Sequence, residues 1–153
     1  MRLQRLPCAA FIVKPDVMTD VDRVLSERLS SSLSRQFPVS PAQKHWSFPY
    51  WAFNLTAGKD RFIVSIRKSR WQDQWLLMIH PGAVHLWIAL LRPQTAKDVF
   101  AALLNICREI HVLLANTTGI TNIRWYFTGG GPTTATPDQL FAIKYEQERW
   151  TGP

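Results

Sequence analysis

Cysteine is scarce in this sequence, which excludes a fold held together by a network of disulfide bonds. Only Cys8 and Cys107 are present among 153 residues, in segments that we expect to form a strand and a helix. Two buried, reduced thiols are therefore the simplest interpretation. A chain of this length buries about 70% of its unfolded surface on folding, which is enough for a core without covalent cross-links.

Long hydrophobic runs are also missing. The apolar stretches at residues 9–13 and 86–91 are much shorter than the roughly 20 residues that a membrane-spanning helix needs. Arg2 and Arg5 resemble the basic start of a signal peptide, but the apolar stretch after them is too short to continue one. We therefore expect a cytoplasmic protein that makes no contact with a membrane.

Residues that bind metals or catalyse reactions are sparse. The closest pair of histidines, His80 and His85, has no cysteine or carboxylate near it in sequence, so we expect neither a metal nor another cofactor. The 11 acidic residues show no catalytic signature. Those in the body of the expected fold are Asp60, Asp73, Asp98 and Glu109. The sequence favours a non-catalytic role, and a small hydrolase that uses Cys8 or one of these carboxylates remains an alternative.

Charged residues make up only 19% of the chain, but 18 basic residues outnumber 11 acidic ones, and the formal net charge is +7. The basic residues are scattered, so the excess charge indicates solubility and a preference for acidic partners. Tryptophan is unusually frequent, with seven residues. Because large rings are costly to expose, either the core is rich in aromatic residues or part of the surface is made for contact.

The clearest pattern that is present predicts a long helix. Apolar residues recur at helical spacing between residues 99 and 114, which predicts a helix at residues 97–115 that packs its apolar stripe on a sheet. Thr95, with Asp98 three residues later, resembles a helix start. The solvent side of this helix would carry Asn105, Arg108 and His111.

Other elements flank this helix in sequence. After a turn that includes Gly119, the β-branched and aromatic residues at 123–127 predict a strand. Near the beginning of the chain, a short apolar run predicts a strand at residues 8–13. An amphipathic pattern predicts a helix at residues 20–34, with Thr19 as its capping residue.

Three consecutive strands are expected between the helices, at about residues 46–56, 61–68 and 73–80. Short turns join them, so neighbouring strands should be antiparallel. Alternate positions of each strand point to the same face of a sheet, which assigns one set of side chains to the face that meets the helices. This set comprises Trp51, Phe53, Leu55, Phe62, Val64, Ile66, Trp75, Leu77 and Ile79.

These elements predict a two-layer α+β fold, with an antiparallel sheet of four to five strands, β-α-β-β-β-α-β order and two helices packed on one face. Residues 1–153 would form a single domain. Within it, residues 128–137 would form a flexible loop rich in glycine and threonine, and residues 138–153 a C-terminal tail.

The opposite face of the predicted sheet carries more apolar side chains than a surface open to water needs. Aromatic residues, methionine and arginine are the residue types enriched at the centres of protein interfaces. The candidate interface residues are Phe48, Tyr50, Arg61, Ile63, Arg67, Leu76, Met78 and Trp87. The leading hypothesis is a non-catalytic protein-binding module, such as a toxin-immunity, adaptor or assembly protein, which binds an acidic protein or a second copy of itself as a homodimer.

The main alternative is the binding of RNA or single-stranded nucleic acid. Basic residues and a tryptophan lie along one predicted hairpin, and binders of single strands combine such charges with rings on which bases stack. The residues of this alternative site are Lys59, Arg61, Arg67, Lys68, Arg70 and Trp71. They form no RNP-like motif, and the strands between them also carry apolar residues that suit a protein interface better.

Overall fold

A computed structural model gives the fold of the chain and describes residues 6–44, 50–81 and 93–150. These ranges contain six strands and three helices. In chain order they are β1 (Pro7–Val13), α1 (Val21–Leu33), β2 (Gln43–Lys44), β3 (Trp51–Ala57), β4 (Asp60–Lys68), β5 (Trp75–Pro81), α2 (Pro93–Ala115), β6 (Ile120–Phe127) and α3 (Pro137–Trp150).

All six strands join one antiparallel sheet in the spatial order β2-β3-β4-β5-β1-β6. The prediction of an α+β fold with an antiparallel sheet is confirmed, although the sheet has one strand more than the upper number expected. The added strand, β2, has two residues and pairs with β3. None of the helices in the described ranges is long and apolar enough to cross a membrane.

The N-terminal strand β1 is an inner strand of the sheet, although it comes first in the chain. It lies between β5 and β6, and Cys8 is paired with Met78 on one side and with Tyr126 on the other. Every residue of β1 except Ile12 is buried. A strand covered in this way has no need of polar alternation, which explains its nearly continuous apolar sequence.

The strand register keeps the two predicted sets of side chains apart. Phe53, Val64 and Ile79, for example, form one row across β3, β4 and β5. This set forms the strand half of the core, with Trp51 and Trp75 half-buried at its margin. The helices supply the other half through Leu25, Leu29, Leu33, Leu103, Ile106, Cys107, Ile110 and Leu114. Each such side chain contributes roughly 1.5–3 kcal/mol by leaving water.

Both predicted capping residues are wrong, although α1 begins within one residue of the predicted start. Asp20, not Thr19, precedes α1, with a left-handed backbone (φ 55°, ψ 48°) and no side-chain capping bond. Its carboxylate instead accepts a hydrogen bond from Nε of Arg23 at 2.6 Å. Helix α2 begins at Pro93, so Thr95 lies inside it. Proline suits the first turn of a helix because its fixed φ is helical and no N–H bond is required there.

One predicted solvent-side residue of α2 has an internal role. His111 is half-buried, and its Nδ1 accepts a hydrogen bond from Nε1 of Trp125 at 3.1 Å. Trp125 is fully buried in β6, so the indole N–H would otherwise lack an acceptor from the protein. Asn105 and Arg108 are exposed, as the helical pattern predicts.

The segment after β6 folds back on the sheet and continues into a helix. Thr134 exchanges two backbone hydrogen bonds with Trp125, each 2.8 Å long. Helix α3 then packs against α2 and β6, where the rings of Phe141 and Phe127 lie 5.3 Å apart. At the surface, Nε of Arg108 donates to Oδ1 of Asp138 at 2.9 Å, which links α2 to α3.

Candidate protein-binding face

The candidate site is the outer face, by which we mean the strand side chains on the side of the sheet opposite α1 and α2. Strand pairing aligns these side chains in rows. One row crosses all six strands through Gln43, Ala52, Ser65, Met78, Cys8 and Tyr126. A second row contains Asn54, Ile63 and His80, and a third contains Arg67, Leu76, Ala10 and Arg124.

The middle of the outer face is apolar and low in relief. Cys8, Ala52 and Ser65 have small side chains and are buried there. Met78 is half-buried, and Ile63 exposes 37% of its surface. A low apolar centre of this kind can make close contact with another protein surface.

The charges on the outer face have one sign. Arg61, Arg67 and Arg124 are exposed on it, and no carboxylate occurs at the strand positions of this face that the structure describes. His80 lies beside Ile63 in the sheet register. Burial lowers the pKa of His80, and the positive charge of Arg67 lowers it further. The face is therefore positive at neutral pH through its arginines.

The only thiol on this face is unsuited to nucleophilic chemistry. Cys8 is fully buried, and its Sγ donates to the hydroxyl oxygen of Tyr126 at 3.3 Å. Burial raises the pKa of Cys8 to about 11, and the interaction with Tyr126 and the charge of Arg67 oppose this effect. Because the thiolate is the reactive form, Cys8 is a weak nucleophile at neutral pH.

The candidate carboxylates do not converge on Cys8. Asp60 begins β4, whereas Asp73 follows the other end of that strand and pairs with Lys68 at 3.3 Å. Glu109 on α2 accepts a hydrogen bond from Gln36 at 3.0 Å. The side chain of Asp98 lies outside the described residues. Across the residues that are described, no group of three or more His, Cys, Asp or Glu side chains is placed to hold a metal ion.

Most of the predicted interface residues lie together on the outer face. Arg61, Ile63 and Arg67 come from β4, and Leu76 and Met78 come from β5. Tyr50 directly precedes β3. Phe48 and Trp87 lie outside the described residues.

Sequence reasoning missed the part of the outer face that comes from β1 and β6. Cys8 and Ala10 project there from β1, and Arg124 and Tyr126 project from β6. Alternate counting along residues 123–127 places Arg124 and Tyr126 on the face opposite Trp125 and Phe127, so these two residues could have been predicted from the sequence. The pairing of β1 with β5, and of β6 with β1, had no signal in the sequence.

The residues of the alternative nucleic-acid site are divided between two ends of β4. Lys59 and Arg61 lie at the turn that joins β3 to β4, whereas the other four residues lie at or just beyond the opposite end. These four are Arg67, Lys68, Arg70 and Trp71. Eight steps along a strand separate these ends by about 26 Å. The second group lines one cleft with Tyr50 and Trp75. Because of the distance between the two ends, the six residues do not form one continuous basic surface.

Both edges of the sheet are partly covered by the chain itself. At one edge, Ser40 N donates to Asn54 O and Thr56 N donates to Pro38 O, both at 2.9 Å. At the other edge, Thr134 is bonded to Trp125. These contacts occupy backbone groups that an added strand would need. Among the described residues, the outer face is therefore more open to a partner than the edges are.

Comparison with known proteins assigns no family to the chain and no role to this face. No protein-family model, curated protein or solved structure matches the chain.

Proposed function

We propose that this chain is a non-catalytic protein-binding module, of the kind represented by toxin-immunity, adaptor and assembly proteins, and that its outer face binds an acidic protein. The observation that supports this proposal is the combination of exposed Ile63 and half-buried Met78 with three arginines. Apolar side chains surrounded by arginine are typical of the energetically important part of an interface.

Charge favours an acidic partner over a second copy of this chain. In a homodimer formed through the outer face, Arg61, Arg67 and Arg124 of each copy would face the same positively charged surface on the other. Like charges brought together where water is excluded are strongly unfavourable. Carboxylates of an acidic partner would instead pair with the guanidinium groups, which suit such contacts because they can donate two parallel hydrogen bonds.

The proposal includes a cytoplasmic location. Cys8 and Cys107 are both free thiols. Free thiols are the state that the reducing cytoplasm maintains, whereas oxidising compartments promote disulfide formation.

The test is to place a negative charge in the middle of the outer face. Ile63→Glu should leave the fold intact because the side chain is 37% exposed. Val112→Glu is the matched control, since Val112 is an exposed apolar residue on α2, away from this face. Wild-type protein is used to capture its partner from host lysate. The partner is then purified and titrated against all three proteins by calorimetry.

The proposal expects a partner with an acidic surface, whose affinity decreases with added salt. Ile63→Glu should weaken binding by at least about 30-fold, which corresponds to the 2 kcal/mol that marks an interface hot spot. Val112→Glu should bind like the wild type. Equal binding by Ile63→Glu would refute the assignment of this face. A homodimer in light scattering that Ile63→Glu dissociates would refute the acidic partner.

A further inference from the structure

A second feature of the surface is an open cleft at the end of β4 and β5. Its volume is about 500 Å³, within the range of sites that bind small molecules. Three aromatic residues, Tyr50, Trp71 and Trp75, line it together with three basic residues, Arg67, Lys68 and Arg70. One carboxylate, Asp22 of α1, is also present. Three cations and one carboxylate leave the cleft with a net charge of +2.

The indole of Trp71 is presented to solvent by a hydrogen-bonded loop. It exposes 91% of its surface, which is unusual for so large an apolar side chain. The backbone N–H of Trp71 donates to Oγ of Ser69 at 3.3 Å, and the backbone N–H of Ser69 donates to the carbonyl of Gln74 at 2.9 Å. These bonds fix the backbone of the loop at the mouth of the cleft, and the ring of Trp71 stays open to solvent.

The cations of the cleft differ in how far they are already neutralised. Lys68 pairs with Asp73 at 3.3 Å, and its Nζ lies 6.0 Å from the ring centre of Trp75. Arg70 is exposed and makes no ion pair with any residue that the structure describes. Arg67 is exposed, and its Nη2 lies 3.6 Å from Sδ of Met78. Two guanidinium groups can thus receive an anion beside the exposed ring of Trp71 and the half-buried rings of Tyr50 and Trp75.

We infer that this cleft binds a nucleotide unit, with the base stacked on an indole and the phosphate held by the guanidinium groups. Every base has a planar face that can stack on an aromatic ring, and arginine binds phosphate through paired N–H donors. The ligand is a planar base joined to a phosphate. It can come from a single-stranded nucleic acid or from a free nucleotide. This site is separate from the centre of the outer face, although Arg67 and Leu76 lie near both.

The experiment measures the anisotropy of a fluorescently labelled, mixed-sequence RNA octamer at low salt, with an unlabelled nucleoside monophosphate as competitor. If two or three cations contact phosphates, the logarithm of affinity should fall with the logarithm of salt concentration with a slope of about −1.4 to −2.1. Trp71→Ala should weaken binding by about fivefold to a hundredfold. Arg70→Gln should make the slope shallower by about 0.7.

The matched control for charge is Arg35→Gln. Arg35 is exposed beyond the last turn of α1, whereas Asp22, the α1 residue that lines the cleft, is in the first turn. A helix of this length separates the two by about 20 Å. Competition by the monophosphate at concentrations similar to those of the octamer would identify a free nucleotide as the ligand, and weak competition would identify a strand.

Three results would overturn the inference. The first is the absence of octamer binding at low salt. The second is binding that Trp71→Ala leaves unchanged, since the ring would then play no part. The third is an equal effect of Arg35→Gln and Arg70→Gln, because the attraction would then come from the overall charge of the protein. The fold of Trp71→Ala is checked by circular dichroism, and its side chain is exposed enough that the fold should persist.

Discussion

The hydrogen bond between Trp125 and His111 makes a fully buried indole depend on the protonation state of a histidine. Nδ1 of His111 can accept from the indole only when it carries no proton. Burial lowers the pKa of His111, and the carboxylate of Asp138 opposes this effect. The geometry therefore requires a neutral His111, and we expect the stability of the fold to depend on this residue.

Replacement of His111 by alanine leaves the Trp125 N–H without its acceptor. An unsatisfied buried donor lowers the free energy of unfolding by about 1–3 kcal/mol. The better helix propensity of alanine raises it by up to about 0.7 kcal/mol. A double-mutant cycle that combines His111→Ala with Trp125→Phe isolates the interaction between the two side chains. The helix propensity of alanine and the cavity left by the smaller ring cancel in this comparison. The coupling energy from urea unfolding should be about 0.5–1.5 kcal/mol, the net contribution of one hydrogen bond.

The same bond should make stability depend on pH. Because the pKa of His111 is lower in the folded protein than its usual value of 6.5, the unfolded chain binds the proton first as the pH falls. The free energy of unfolding should therefore decrease as the pH drops through about 6.5, and more steeply in the wild type than in His111→Ala. His80 titrates in both proteins, so its contribution cancels. A coupling energy near zero, with identical pH profiles, would refute this reasoning.

Two further predictions concern a glycine and the thiols. Gly119→Ala should lower the free energy of unfolding by more than about 1 kcal/mol, because φ is +90° and the added Cβ would lie 2.8 Å from Val17 Cβ. Val17→Gly removes the clashing Cβ, so Gly119→Ala should cost less in urea unfolding when it is measured in the Val17→Gly background, and only the cost of the left-handed backbone should remain. A neutral effect of Gly119→Ala alone would contradict the left-handed turn. Cys8 and Cys107 should react with a thiol reagent only in denaturant, because burial keeps both thiols protonated and inaccessible. Rapid labelling of the native protein would contradict this burial.

The face that each strand residue occupies could be predicted from the sequence. Phe53, Phe62 and Leu77 point to the helices as alternate counting predicts. The direction of a side chain in a strand follows from its position relative to its neighbours in the chain, so a local pattern contains the necessary information. The apolar stripe of α2 was predictable for the same reason.

Element boundaries were less predictable, because a residue type that can cap a helix can also lie inside one or form an ion pair. Thr95 resembles a capping residue, yet Pro93 already begins the helix. Asp20 precedes α1 in a left-handed conformation, and its carboxylate pairs with Arg23 instead of capping the helix. His111 appears on the polar side of α2 by helical spacing, but the ring of Trp125 in a distant segment determines its role.

The sequence by itself determined five of the six strands, the helices α1 and α2, their order along the chain and the two faces of the sheet, because each of these follows from the spacing of neighbouring residues. The expected elements did not include β2 or the full length of α3. Only the tertiary structure decided that β1 lies between β5 and β6. That pairing brings Cys8, Arg124 and Tyr126 into the same face as Met78. Strand order is set by how the whole core packs, so no local pattern in the chain specifies it.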